Sequence, residues 1–306
     1  MQTPFIQGVI EQAGRIILGK ERQIRLALAC LLAGGHLLIE DLPGVGKTTL
    51  AHVLAKLLGL EFHRIQFTSD MLPADIIGVS VYERESGTFK FHAGPIFSQL
   101  ILADEVNRAT PKTQSALLEA MEEHQVTAEG ETRRLPEPFF VVATQNPSHL
   151  VGTFPLPESQ LDRFLMRIDL GYPDHDAERT LLQSADRREM IAGLDACLAP
   201  GDLMNLQSMV KTVHASGALL DYIQGLVEHT RRSPEYNTGL SPRAALGLLH
   251  AARAWALIAN RDKVVPEDVQ AVLPGIAGHR LRPVHDGVRQ SSIDKANGLI
   301  SAVPIP

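Results

Sequence analysis

A chain of 306 residues with 44% hydrophobic and 21% charged side chains has an ordinary globular make-up, with room for one sizeable core and a smaller second one. A formal net charge of −6, with basic residues in scattered pairs (Arg133–Arg134, Arg187–Arg188, Arg231–Arg232), argues against a nucleic-acid binder. No run nears the ~18 apolar residues of a membrane helix, the first residues carry no secretory signal, and Cys30 and Cys197 lie in unrelated contexts; a cytoplasmic protein with free thiols and no membrane insertion is expected.

The apolar stretch at 26–32 has helical period and belongs in a core. From there to about 170, short apolar runs alternate with helical patterns, the order of a parallel sheet wrapped by helices. Residues 36–40 (HLLIE) read as a buried strand, 48–58 as the helix after it, and 62–67 as a second strand. Residues 99–103, 139–144 and 164–170 supply three more. Two segments between them read as hairpins, 79–91 turning at Ser86–Gly87 and 125–135 turning at Glu129–Gly130.

Past Gly171–Tyr172–Pro173 the strand signals stop, and 174–282 is mostly helical in period. Leu219, Leu220, Ile223, Leu226 and Val227 share one helix face, and Leu248, Ala252, Trp255 and Ala259 share another. Asp202 and Ser241 are expected as N-caps, with Pro242 in the first helical position, and Pro266 opens a short helix. The last ~20 residues lose periodicity and are expected to fray or to dock on a neighbour. The chain therefore divides into an α/β unit over 1–171 and an all-α unit over 172–306.

Chemistry concentrates at the strand ends. Pro43-Gly44-Val45-Gly46-Lys47-Thr48, followed by Thr49, lies between the first strand and its helix. A phosphate loop needs glycines so that backbone amides can curl around phosphates, a lysine to reach them and a hydroxyl to ligate Mg²⁺. Gly44, Gly46, Lys47 and Thr48 meet those needs, although Asp41 stands where the general pattern has its first glycine. Downstream, the apolar run 100–103 ends in Asp104-Glu105, which resembles a Walker B segment: Asp104 would hold Mg²⁺ through its water shell and Glu105 would act as general base on the attacking water. Three further polar residues stand out. They are Asn146 in Ala143-Thr144-Gln145-Asn146-Pro147, Arg163 in Leu161-Asp162-Arg163-Phe164, and Arg243 in Ser241-Pro242-Arg243. Arg163 at a helix end suits an arginine finger that completes a neighbouring subunit's site. Arg243 sits against the dipole of its own helix, a mild penalty that favours a functional role.

Together these segments closely resemble the MoxR family of AAA+ ATPases. The match is most specific in Ala103-Asp104-Glu105-Val106-Asn107-Arg108-Ala109 with Pro111-Lys112-Thr113-Gln114, and in Phe154-Pro155-Leu156-Pro157-Glu158. The resemblance implies an AAA+ P-loop NTPase core, a parallel sheet flanked by helices with two hairpin insertions, followed by a helical lid domain. It gives Asn146 the role of the sensor that helps place water against the γ-phosphate, and Arg243 that of a second sensor. It also implies ATP and Mg²⁺ as ligands, a homo-oligomeric ring, usually a hexamer, and work on partner proteins that often carry von Willebrand factor A domains. This chain has no Asp-x-Ser-x-Ser metal motif, so such a domain would belong to a separate protein.

Three other functions bear on the same residues. A nucleic-acid motor is disfavoured because the tip Thr127-Ala128-Glu129-Gly130-Glu131-Thr132 is acidic where phosphate tracking needs Lys or Arg, although Arg133 and Arg134 sit on the return strand. A metal-chelatase motor subunit is a close relative that these residues do not separate from a protein remodeller. A non-hydrolysing nucleotide switch is disfavoured because Lys47, Thr48, Asp104, Glu105, Asn146 and Arg163 occur together. The twelve histidines, His36, His52, His63 and His92 among them, lack zinc-type spacing and read as structural or solvated.

Overall fold

The computed structural model describes residues 3–146, 153–183, 186–284 and 291–306, the side chains of 3, 4 and 188 excepted. Helices α1 (Thr3–Ile16) and α2 (Glu21–Leu32) lead into β1 (Leu37–Glu40), α3 (Lys47–Leu57) and β2 (Phe62–Gln66). The five-residue helix α4 (Pro73–Ile77) introduces the hairpin β3 (Gly78–Glu83) and β4 (Thr88–Ala93). Strand β5 (Leu100–Asp104) and helix α5 (Pro111–Glu123) follow, then the second hairpin, β6 (Gln125–Ala128) and β7 (Glu131–Arg134), then β8 (Phe140–Gln145). After α6 (Glu158–Leu161) and β9 (Met166–Ile168) the chain is helical: α7 (His175–Gln183), α8 (Arg187–Ala192), α9 (Pro200–Thr212), α10 (Gly217–Arg232), α11 (Pro242–Ile258), α12 (Pro266–Ala277) and α13 (Ser292–Ala302).

Five strands form one sheet in the order β2-β5-β8-β1-β9, every pair parallel. All their C-terminal ends therefore lie along one edge, where open parallel sheets bind ligands. Side-chain alternation divides the core in two. Leu37 and Ile39 of β1, Leu100 and Leu102 of β5, and Phe140 and Val142 of β8 face a large cluster that continues through α1, α2, α3 and the late helices. Leu38, Ile101, Ala103, Val141 and Ala143 face a smaller cluster against α5 and the hairpin roots. The larger core is continuous across the expected 171/172 division, because α11 packs on α2 and α12 on β9.

The two hairpins touch each other. The Glu129 carboxylate, at the tip of the second, accepts from the Ser80 amide at 3.1 Å and from its hydroxyl. The Arg133 guanidinium lies 3.9 Å from the Phe91 ring centroid and pairs with Glu131.

Ser241 caps α11, accepting from the Ala244 amide at 3.1 Å, with Pro242 at its start as expected. Asp202 is no N-cap: it lies inside the first turn of α9, and its carboxylate accepts from the Ala199 amide at 3.0 Å, because Pro200 already starts the helix. The helix opened by Pro266 is twelve residues long and runs past Pro274. Leu220 does not share the buried stripe of Leu219, Ile223, Leu226 and Val227; it is 45% exposed, and Ala259 is exposed as the C-cap past the end of α11. Among the described residues of the C-terminal segment, Ser292–Ala302 form a helix. Ser291 caps α13, which packs on α10 and α12. Ala296 and Leu299 join the large core. A polar tie also links this helix to Gly278 and Leu281, Lys295 Nζ donating to Leu281 O at 2.6 Å and to Gly278 O at 3.2 Å, which hydrophobic period does not reveal.

His36 is fully buried beside β8. Its Nδ1 accepts from the Val141 amide at 3.0 Å, which leaves Nε2 to donate to Met121 O at 3.1 Å. A second proton would face an N–H, and burial lowers the His36 pKa from 6.5 to about 4. Burial, with Arg280 and Arg167 nearby, also lowers the buried His279 well below 6.5. Above pH 6.5 both states of the chain hold these rings neutral; below it only the unfolded state takes up the proton, so stability falls as pH falls. Chemical unfolding from pH 7 to 4 is expected to show a loss of about 3 kcal/mol from His36 alone. A flat profile across that window would contradict the buried neutral ring.

Candidate nucleotide site

The loop after β1 owes its shape to two glycines. Gly44 and Gly46 have φ of +83° and +96°, and a Cβ at either would meet no atom within 4 Å, so conformation and not space demands glycine there. Lys47 opens α3 with its side chain turned back beneath the loop, only 8% of the residue exposed. Its Nζ donates to Asp41 O at 2.5 Å, Asn146 Oδ1 at 3.1 Å and Gln145 O at 3.5 Å. Burial lowers the Lys47 pKa, while the Asp41, Asp104, Glu105 and Glu40 carboxylates oppose that shift.

Asp41 has a structural task in the place of the missing glycine. One carboxylate oxygen accepts from the Leu170 and Gly171 amides at 2.7 and 2.6 Å, and the other from the Leu42 amide at 2.7 Å. It thereby ties the base of the loop to the chain leaving β9.

Asp104 ends β5, buried, with Oδ1 accepting from the Thr144 hydroxyl at 2.6 Å and Oδ2 from Arg64 at 2.6 and 3.1 Å. Glu105 adopts left-handed backbone, φ 55° and ψ 46°, an unusual conformation for this residue type that starts a 3₁₀ turn over Val106–Arg108. Its amide donates to Thr144 Oγ1 at 2.9 Å, its Oε1 accepts from Asn146 Nδ2 at 3.0 Å, and its Oε2 from Gln66 Nε2 at 3.0 Å and Arg108 Nε at 3.1 Å. Asn146 therefore bridges Lys47 and Glu105. Asn107 supports it from behind, Nδ2 donating to Asn146 O at 3.1 Å. Pro147, which follows it, lies outside the described residues.

Beside the loop opens a cavity of about 680 Å³ lined by Gly44, Val45, Gly46 and Thr49 on one side and by Ile16, Ile17 and Tyr172 on another. The donor set fits a nucleotide polyphosphate with Mg²⁺. The glycine loop and Lys47 supply positive potential, Thr48 lies half-buried in the first turn of α3, and Asp104 Oδ1 keeps acceptor capacity beyond the Thr144 hydroxyl, while Arg64 fills Oδ2.

Arg163 and Arg243 are not bonded to this constellation. Arg163 Nη1 donates to Leu118 O of α5 at 2.6 Å, and Arg243 pairs with Glu122 one turn further along the same helix. Asp162, next to Arg163, is taken instead by Arg280 and Ser241. Sequence reasoning missed Arg280, whose guanidinium donates to Asp162 Oδ1 and to the carbonyls of Asp162, Phe164, Leu165 and Ile276. It missed Arg64, Gln66 and Thr144 as well. Only for the last was there a signal, the hydroxyl two residues before Asn146 on a strand otherwise apolar.

A buried phosphate-loop lysine, an acidic pair at the end of β5 across β8 from the loop's own strand, and a helical unit behind the sheet define an AAA-type ATPase, an enzyme that hydrolyses ATP. Residues 36–166 match the ATPase family associated with various cellular activities (AAA), and residues 228–296 match the AAA lid domain. The Bacillus subtilis protein YeaC is 44% identical over 99% of this chain and 95% of its own length. Chaperone MoxR1 of Mycobacterium tuberculosis is 40% identical over 92% of this chain and 77% of its own. The crystal structure of a Cytophaga hutchinsonii protein superposes with a TM-score of 0.90 at 38% identity, covering 99% of this chain and 96% of that one. The chain belongs to the MoxR family of AAA+ ATPases.

Restoring the glycine of the general pattern is expected to be harmful here. Asp41→Gly removes the acceptor of three backbone N–H groups, at a cost of about 2 kcal/mol. Thermal unfolding should occur at lower temperature and nucleotide affinity should drop; an unchanged midpoint would show that the tie to β9 carries no weight.

Proposed function

We propose that this ATPase works at the interfaces of a closed homo-oligomeric ring, usually a hexamer in its family, and uses ATP to remodel or mature partner proteins in the cytoplasm. In this reading residues 1–171 are the ATPase core and 172–306 the lid. Pro43, Gly44, Val45, Gly46 and Thr49 line the phosphates with Lys47. Thr48 and Asp104 would hold Mg²⁺, which would supply neutralisation of charge on the phosphates. Glu105 takes the proton of the attacking water while Asn146 fixes the carboxylate's orientation. Arg163 and Arg243 reach the phosphates of the adjacent copy, where charge spreads over the transferring group.

One observation carries the proposal. Lys47, Asn146 and Glu105 form a bonded chain on one end of the sheet, whereas Arg163 and Arg243 both bond α5 instead. A site whose arginines come from a neighbour needs a heterologous interface, and ring closure satisfies every copy equally. The relative named Chaperone MoxR1 supports action on proteins, and the family resemblance makes a von Willebrand factor A domain protein the expected partner. The second hairpin supports the same direction against nucleic acid. Its acidic tip is held by Ser80, and Arg133 is engaged by Phe91 and Glu131. A chelatase-type motor subunit would use this ATPase site unchanged and differ only in its client.

Glu105→Gln is expected to bind ATP within a few-fold of wild type while turnover falls on the order of 100-fold or more; unchanged turnover would remove Glu105 as the base. Arg163→Ala and Lys47→Ala, each inactive alone, are expected to regain part of the activity when mixed, since hybrid interfaces pair an intact loop with an intact arginine. Absence of rescue at every mixing ratio would place Arg163 outside the neighbour's site.

A further inference from the structure

Strand β2 carries two polar residues that the reading of the site above does not use. Arg64 and Gln66, two apart and so on one face of the strand, flank the C-terminal end of β5. Arg64 Nε and Nη2 donate to Asp104 Oδ2 at 3.1 and 2.6 Å, and Nη2 also donates to Gln66 Oε1 at 2.8 Å. Gln66 Nε2 donates to Glu105 Oε2 at 3.0 Å. Asp104, Arg64, Gln66 and Glu105 are thus one continuous chain of hydrogen bonds through both carboxylates.

We propose that Arg64 is a built-in cation that competes with Mg²⁺ for Asp104. The inference rests on the assignment of Asp104 given under the proposed function. In it, Arg64 is a positioning residue, steadied by Gln66, that occupies Asp104 until the metal displaces the guanidinium.

The pairing is built to be displaced. The Arg64 side chain is 49% exposed and that of Asp104 only 9%, so the guanidinium can swing into water and be rehydrated while the carboxylate stays fixed. Both Arg64 donors converge on Oδ2 because the Thr144 hydroxyl occupies Oδ1. The stronger fork, with one N–H to each oxygen, is therefore not made. Gln66 Oε1 steadies the guanidinium in place, accepting from Nη2. Departure of Arg64 leaves Glu105 held as before by Asn146 on Oε1, by Arg108 on Oε2 and by the Thr144 hydroxyl at its backbone.

The test is a Mg²⁺ titration of the full chain, read as equilibrium binding of a fluorescent ADP analogue and separately as turnover. Arg64→Gln is expected to lower the Mg²⁺ concentration for half-maximal nucleotide binding roughly tenfold, the loss of one charge-assisted competitor. Arg64→Lys, which keeps the cation, should stay near wild type. Gln66→Ala, which removes the acceptor that steadies the guanidinium, is expected to lower the Mg²⁺ requirement in the same direction. An unchanged or higher Mg²⁺ requirement in folded Arg64→Gln would overturn the proposal. So would a higher Mg²⁺ requirement in Gln66→Ala, an exposed position whose variant keeps the test open should Arg64→Gln not fold. These outcomes differ from failure of the site assignment itself, which would appear as normal turnover in Glu105→Gln.

Discussion

A buried ammonium must be surrounded by acceptors, and in this molecule that requirement organises the end of the sheet. Lys47 takes one acceptor from the loop at Asp41, one from the end of β8 at Gln145 and one from the Asn146 side chain. Accepting at Oδ1 fixes the orientation of the Asn146 amide, so its nitrogen must point the other way, towards Glu105. Glu105 is therefore oriented by the lysine through a single amide, and a change at any of the three is felt by the others.

The order β2-β5-β8-β1-β9 makes this possible. Three adjacent parallel strands deliver the acidic pair, Asn146 and the phosphate loop to one edge with no long side chain bridging a gap. The outer strands are not passive. From one side β9 receives the loop through Asp41, and from the other β2 offers Arg64 and Gln66 to the acids. Behind the sheet, Arg280 spends its donors on the segment 162–165 and Ile276, holding the strand end that carries Arg163 against α12. The contact of Ser80 with Glu129 joins the two hairpins, so displacement of either acts on both.

Much of this was legible in the residues. Strand 100–104 ends in its acids because a buried apolar run must surface somewhere, and Lys47 and Thr48 follow a glycine turn that few other structures need. Both hairpins turn at the dipeptides that the sequence marks, with Gly87 and Gly130 at positive φ. What escaped depends on partners distant in the chain. Asp41 looked like a defect in a pattern until Leu170 and Gly171 supplied its purpose. Arg64 looked like an ordinary strand residue, though it lies against an aspartate forty positions later. The final helix was missed because its apolar face is short, Ala296 and Leu299 with Ile300 and Val303, while the buried Lys295 interrupts the pattern and Ile293 is 50% exposed.

The central claim is that this site is half of a whole, completed by arginines from another copy. A structure of the Glu105→Gln variant with ATP and Mg²⁺, in its assembled form, tests it most directly. The account predicts Lys47 of one copy and Arg163 with Arg243 of the next on the same γ-phosphate, with Arg64 turned away from Asp104. An ATP-bound assembly in which no arginine of a neighbour reaches the phosphate, or in which Arg243 reaches that of its own chain, would contradict it.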